Sequence, residues 1–101
     1  MKVALPVKEA SGLEAEVLPT FEGAPFFAIL SKKGEDEVEV GLYENPAQSL
    51  SEVAQVLLAY GVRKVVFPEV NPLARSAFEE LGIEVVDERF KTLKGALEAL
   101  F

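Results

Sequence analysis

The chain has 101 residues, 50% of them hydrophobic, a formal net charge of −7, and neither histidine nor cysteine. These figures suit a single domain spanning residues 1–101. They exclude a disulfide framework, an imidazole base, a thiolate nucleophile and a zinc or iron–sulfur site of the ordinary kind. With 10 Lys+Arg against 17 Asp+Glu there is no basic face to neutralise phosphates, so neither nucleic acid nor an anionic membrane is an expected partner. The apolar run at the N-terminus is too short for a signal peptide, and no stretch approaches a membrane span, so a cytoplasmic protein is expected. The lack of Cys, the single Met and the many glutamates suit a thermophile, as they also suit small acidic mesophilic proteins.

Val3, Leu5 and Val7 alternate with Lys2, Ala4 and Pro6, the period of a first strand, with Pro6 near its end because proline cannot donate to a ladder. Residues 8–22 contain Gly12 and Pro19 and read as a long loop, with room for a short extended piece over Leu13–Leu18. Phe26–Leu30 is nearly continuous apolar sequence, a strand covered on both faces. Ser31–Asp36 reads as a hairpin turn. Val38, Val40 and Leu42 then alternate with Glu37, Glu39 and Gly41 as its antiparallel partner. Glu37 and Glu39 fall on an expected sheet edge, where charge discourages aggregation.

The period changes at Ser49. Ser49-Leu50-Ser51-Glu52 is a capping box, and Leu50, Val53, Ala54, Leu57 and Leu58 follow at helical spacing up to Gly61. Val62–Phe67 is a short strand. Asn71-Pro72 is an N-cap followed by proline at the first helical position. Leu73, Ala77, Phe78 and Leu81 are the expected buried stripe of that second helix. Ile83, Val85 and Val86 form a last strand, and Thr92 caps a last helix with Leu93, Ala96, Leu97 and Leu100 on its apolar side. Right-handed crossovers then predict a mixed five-stranded sheet of order 3-2-1-4-5, strand 2 antiparallel, with three helices in one α/β layer pair.

Ligands of open α/β sheets favour the carboxyl ends of the parallel strands. That edge collects Lys8, Glu9, Glu69, Asn71, Asp87, Glu88, Arg89 and Lys91. They read either as a site for a polar small molecule or ion, or as solvated loops. The sheet order is similar to that of ribonuclease-H-like nucleases, but the first strand carries no acid for a two-metal site. No serine has a histidine base. Tyr43 and Tyr60 read as packing residues.

Several short motifs occur in a fixed order. They are Met1–Val7, Thr20-Phe21-Glu22-Gly23-Ala24-Pro25-Phe26-Phe27, Glu44-Asn45-Pro46-Ala47, Asn71-Pro72-Leu73-Ala74 and Leu81-Gly82-Ile83-Glu84-Val85. Together they resemble the dinitrogenase iron–molybdenum cofactor biosynthesis family over nearly the whole chain. The resemblance implies a ribonuclease-H-like fold and the binding or carriage of an iron–molybdenum or iron–sulfur cofactor precursor. It also implies a ligand segment at Thr20, Phe21, Glu22, Gly23 and Ala24, where many members carry His-Phe-Gly-Arg-Ala-Pro. Thr20 stands in place of that histidine, Asn71 in place of the glycine of a Gly-Pro pair, and Ala47-Gln48-Ser49 shortens a Gly-rich loop.

With Asn71 and Pro72 opening a helix toward the same edge, the expected ligand cleft lies between Thr20–Ala24 and Asn71-Pro72. No catalytic or metal-ligating residue is expected. Two readings stay open: a non-catalytic carrier whose ligand is not a stable iron–sulfur cluster, and an interaction domain that kept the fold and lost the ligand. Its partner would be a small molecule or a protein.

Overall fold

The computed structural model describes all 101 residues. Its central strand β1 (Lys2–Val7) is buried on both faces. Val3, Leu5 and Val7 enter one apolar cluster and Ala4 enters the other. β1 pairs antiparallel with β2 (Phe26–Lys32), which pairs antiparallel with the edge strand β3 (Val38–Glu44). On its other side β1 pairs parallel with β4 (Lys64–Val66), which pairs parallel with β5 (Glu84–Val86). The order is β3-β2-β1-β4-β5, as the connections predict.

Pro6 breaks nothing, for a reason of register. Lys32 N donates to Met1 O, so the odd residues of β1 bond to β2 and the even ones face β4. The β4 pairing ends at Ala4, and the Pro6 carbonyl accepts from Leu18 N instead.

Helix α1 (Leu50–Ala59) starts on half of the expected capping box: Ser49 Oγ accepts from Glu52 N, and the Glu52 carboxylate accepts from the Ser49 hydroxyl rather than from its backbone amide. Asn71 Oδ1 caps α2 (Pro72–Glu79), and Thr92 Oγ1 caps α3 (Leu93–Leu100).

Four expectations need correction. The helices do not form a single layer: α1 and α2 pack with Ala4, Phe27, Ile29 and Val65 on one face, whereas α3 packs with Val3, Leu5, Ala28 and Leu30 on the other. A strand buried on both faces needs cover on both.

Leu73 is not in the buried stripe of α2; it is 75% exposed, and Ala74 takes the inward position. Phe78 sets this face by packing on Phe21 and Phe67, and Leu73, five residues away, lies about 140° around the helix from it. The Leu13–Leu18 piece is extended only at Glu16 and Val17, which bridge to Thr92 and Val7 respectively, while Gly12–Glu14 is a short 3-10 turn. The β2–β3 turn is tighter than predicted, because Ser31 and Lys32 remain in β2.

Gly41 is required by a close approach. The Tyr43 ring folds over it, and a β-carbon there would lie 2.6 Å from ring atoms. Tyr43 is held in turn by Tyr60 at 4.7 Å and Phe27 at 5.9 Å between ring centroids.

In urea melts, Leu57→Ala and Phe78→Ala should each lose roughly 2–5 kcal/mol, since both side chains are fully buried. Leu73→Ala should stay within about 0.5 kcal/mol of the parent. Gly41→Ala should cost about 1 kcal/mol or more by displacing Tyr43.

Candidate functional site

The segment Thr20–Ala24 is placed by one side chain that faces inward. Phe21 is fully buried, edge-on to Phe67 at 5.3 Å and tilted against Phe78 at 5.5 Å. That anchor turns its neighbours outward. Thr20 Oγ1 accepts from Glu22 N at 3.3 Å, and Gly23, at φ +76°, lets the chain turn back so that Ala24 N reaches Phe21 O. At such a φ a side chain would be strained.

Two further contacts fasten this segment to the neighbouring loops. Asn45 Nδ2 donates to Ala24 O at 2.9 Å, and Asn45 Oδ1 accepts from Ala47 N, which ties the turn to the approach of α1. Glu69 N donates to Pro19 O at 3.0 Å, which ties it to the β4–α2 loop.

The expected site residues therefore separate. Glu22 lines a cleft of about 360 Å³ together with Gln48, Ser49, Leu50, Ser51, Leu73 and Ala77. Phe21 belongs to the core beneath it. Asn71 spends its side-chain oxygen on the Ala74 amide at 2.8 Å, and neither it nor Pro72 lines the cleft.

Sequence reasoning missed Gln48, Ser49, Leu50 and Ser51 as cleft residues, and took Leu73 and Ala77 for core. The usable signal was the capping box itself, since a helix start always leaves amides without partners. Here the Glu52 and Val53 amides are satisfied by Ser49, whereas those of Leu50 and Ser51 have no protein acceptor. Gln48 and Ser51 side chains make no hydrogen bond to protein, so the cleft offers free donors and acceptors between aliphatic walls.

A second, wider cleft of about 790 Å³ lies on the α3 side of the carboxyl edge. It brings together Glu9, Arg89 and Lys91 from the expected edge set and adds Glu14, Glu16 and Phe90. Lys8, Glu69, Asp87 and Glu88 lie outside it. Glu9 Oε1 accepts from Glu16 N at 2.9 Å, so that carboxylate braces the loop.

No three carboxylates converge as a metal site needs. With no thiolate or imidazole in the chain, these residues do not fit an iron–sulfur or iron–molybdenum centre held by protein ligands.

The family profile described as "Dinitrogenase iron-molybdenum cofactor" matches residues 1–101. The chain belongs to that family. Among solved structures it is similar to PH0822, with a TM-score of 0.86 at 24% identity, covering 99% of this chain and 88% of that one. It is also similar to a Thermotoga protein provisionally named as NifB, with a TM-score of 0.74 at 25% identity, covering 98% and 85%. The apo form of the orange protein from Desulfovibrio gigas aligns with a TM-score of 0.75 at 23% identity, covering 98% and 85%. No curated protein is significantly similar in sequence. For this dinitrogenase-cofactor family member, no helix is long and apolar enough to cross a membrane.

Because Phe21 anchors the segment and Asn71 caps a helix, Phe21→Ala should cost roughly 3–5 kcal/mol and Asn71→Ala about 1 kcal/mol. Thr20→Ala, which removes one exposed hydrogen bond, should change little; thermal melts of the three variants check the ranking.

Proposed function

We propose that this protein is a non-catalytic carrier that holds a small polar ligand in the cleft between Glu22 and the start of α1. The observation that carries the reading is the family match across residues 1–101, a family named for the iron–molybdenum cofactor of dinitrogenase. The cargo class is accordingly a cofactor precursor or a component of one. The chain's donors restrict how it is held. Free amides at Leu50 and Ser51, the Ser51 hydroxyl and the Gln48 amide supply hydrogen bonds. The Glu22 carboxylate accepts one, and Leu50, Leu73 and Ala77 supply apolar contact. None is a soft metal ligand, so the ligand is bound from outside its own coordination sphere. Serines without a histidine base support the non-catalytic part of the reading.

A second reading, an interaction domain without cargo, draws on Leu73: a leucine 75% exposed at the cleft rim is apolar surface left for a partner.

A thermal-shift screen across metals, nucleotides and metabolites tests both. At about 100 times its Kd a ligand stabilises the fold by about 2.7 kcal/mol, which raises the Tm of a domain this size by roughly 10 °C or more. Glu22→Ala and Ser51→Glu should abolish the shift, and Glu98→Gln, on the exposed side of α3, should keep it. A hit that survives both cleft variants moves the site elsewhere; no hit at all favours the interaction reading. Anaerobic reconstitution with iron and sulfide should leave no stoichiometric iron on the protein, and a stable cluster with sulfide-to-iron absorption would overturn the proposed mode of holding.

A further inference from the structure

The far edge of the sheet carries a second kind of order. Asn45 N donates to Pro25 O and Lys33 N donates to Glu37 O, and the β2–β3 register runs unbroken between these bonds. The odd-numbered residues of β3 therefore bond to β2, and the backbone N–H and C=O of Val38, Val40, Leu42 and Glu44 point away from the sheet. β3 ends the strand order, and these groups find no protein partner. The strand is 7 residues long, without proline or bulge. Edges of this length are normally blunted by such devices.

Side chains sort the two faces of that edge. Val38, Val40 and Leu42 lie half-buried on the α3 face, continuous with the core cluster of that face. Glu37 and Glu39 are exposed, and their odd positions put them on the opposite face. Across the hairpin Lys32–Glu44, five acids (Glu35, Asp36, Glu37, Glu39, Glu44) stand against two lysines. A second copy of the chain would bring the same acids and a net charge of −7 to the contact. A strand of opposite charge would meet a net acidic hairpin, whose Lys33 lies 3.7 Å from the Glu39 carboxylate and leaves Glu37 unpaired.

We infer that β3 is a docking edge for an extended segment of another protein in which apolar and basic residues alternate. Its backbone adds a sixth strand by pairing with Val38, Val40, Leu42 and Glu44. Its apolar side chains extend the Val38–Val40–Leu42 stripe. Its basic side chains lie beside Glu37 and Glu39. Period two in the partner is demanded by period two in β3. The surface lies on β3, none of whose residues lines the Glu22 cleft, and the inference holds whether or not that cleft carries a cargo.

The test uses a fluorescein-labelled peptide of alternating lysine and valine, as long as β3 (7 residues), and a second peptide of the same composition with its lysines in one block. By fluorescence anisotropy the alternating peptide should bind saturably and more weakly as salt rises. In 1H–15N spectra it should shift the amides of Val38, Val40, Leu42 and Glu44. The block peptide should bind about tenfold more weakly or worse, because it cannot match both faces at once. Val40→Pro, which removes one outward donor without touching the β2 ladder, should weaken binding about tenfold. Glu37→Lys with Glu39→Lys should do the same by reversing the charge of that face; both sites are exposed, so this variant decides the matter if Val40→Pro unfolds. Equal binding of the two peptides, shifts confined to the clefts or to β5, unchanged affinity in the double variant, or a β3-mediated dimer of the free protein would each overturn the inference.

Discussion

Everything in this molecule is arranged about one strand that has no exposed face. β1 presents Val3, Leu5 and Val7 to one side and Ala4 to the other, and its side chains from Val3 to Val7 are buried. A strand so placed needs a neighbour on each edge and a layer on each face. β2 and β4 supply the edges, antiparallel and parallel respectively. α1 and α2 cover one face and α3 covers the other. The mixed sheet meets that requirement with an antiparallel neighbour reached through the connection of residues 8–25 and a parallel neighbour that needs a helical crossover.

The three phenylalanines Phe21, Phe67 and Phe78 carry the demand for burial from the core to the surface. Ring centroids within 5.8 Å join a loop, the residue just after β4 and the last turn of α2. The same packing that buries Phe78 rotates α2 so that Leu73 faces solvent at the cleft rim. Burial of Phe21 likewise leaves Thr20 and Glu22 facing outward. Core packing and cleft composition are thus two consequences of one contact, and the hydrogen bonds through Asn45 and Glu69 hold the outward loop in register with it.

Membership in a dinitrogenase-cofactor family sits beside a donor set with no soft ligand. The two agree if the protein grips its ligand by backbone amides, hydroxyls and apolar walls. A helix start provides such donors without any particular side chain, which lets the surrounding residues vary while the cleft persists. The acidic surface acts elsewhere: it deters self-association along β3, where five acids crowd one hairpin, and leaves that edge open to a segment of opposite charge.

Much of the architecture was legible from the chain alone. Alternation marked β1 and β3, and a capping box and an Asn-Pro pair marked the starts of α1 and α2; these are local, and local rules survive folding. The strands were ordered by the general handedness of crossovers. The family resemblance rested likewise on short motifs in order. Three features could not be read that way. Which side of α2 is buried depended on Phe21 and Phe67, two residues distant in sequence. Whether the helices form one layer or two depended on how the whole of β1 is covered. Which residues line the cleft depended on one loop meeting the start of α1 and a face of α2, so Glu22 was foreseen, the residues from Gln48 to Ser51 and Ala77 were not, and Asn71 proved to be committed to its own helix. Spacing along a chain determines secondary structure because those hydrogen bonds and side-chain periods are near neighbours. Faces and clefts are decided only by tertiary packing, because burial is a property of all the surfaces that meet at a point and no stretch of sequence contains them all.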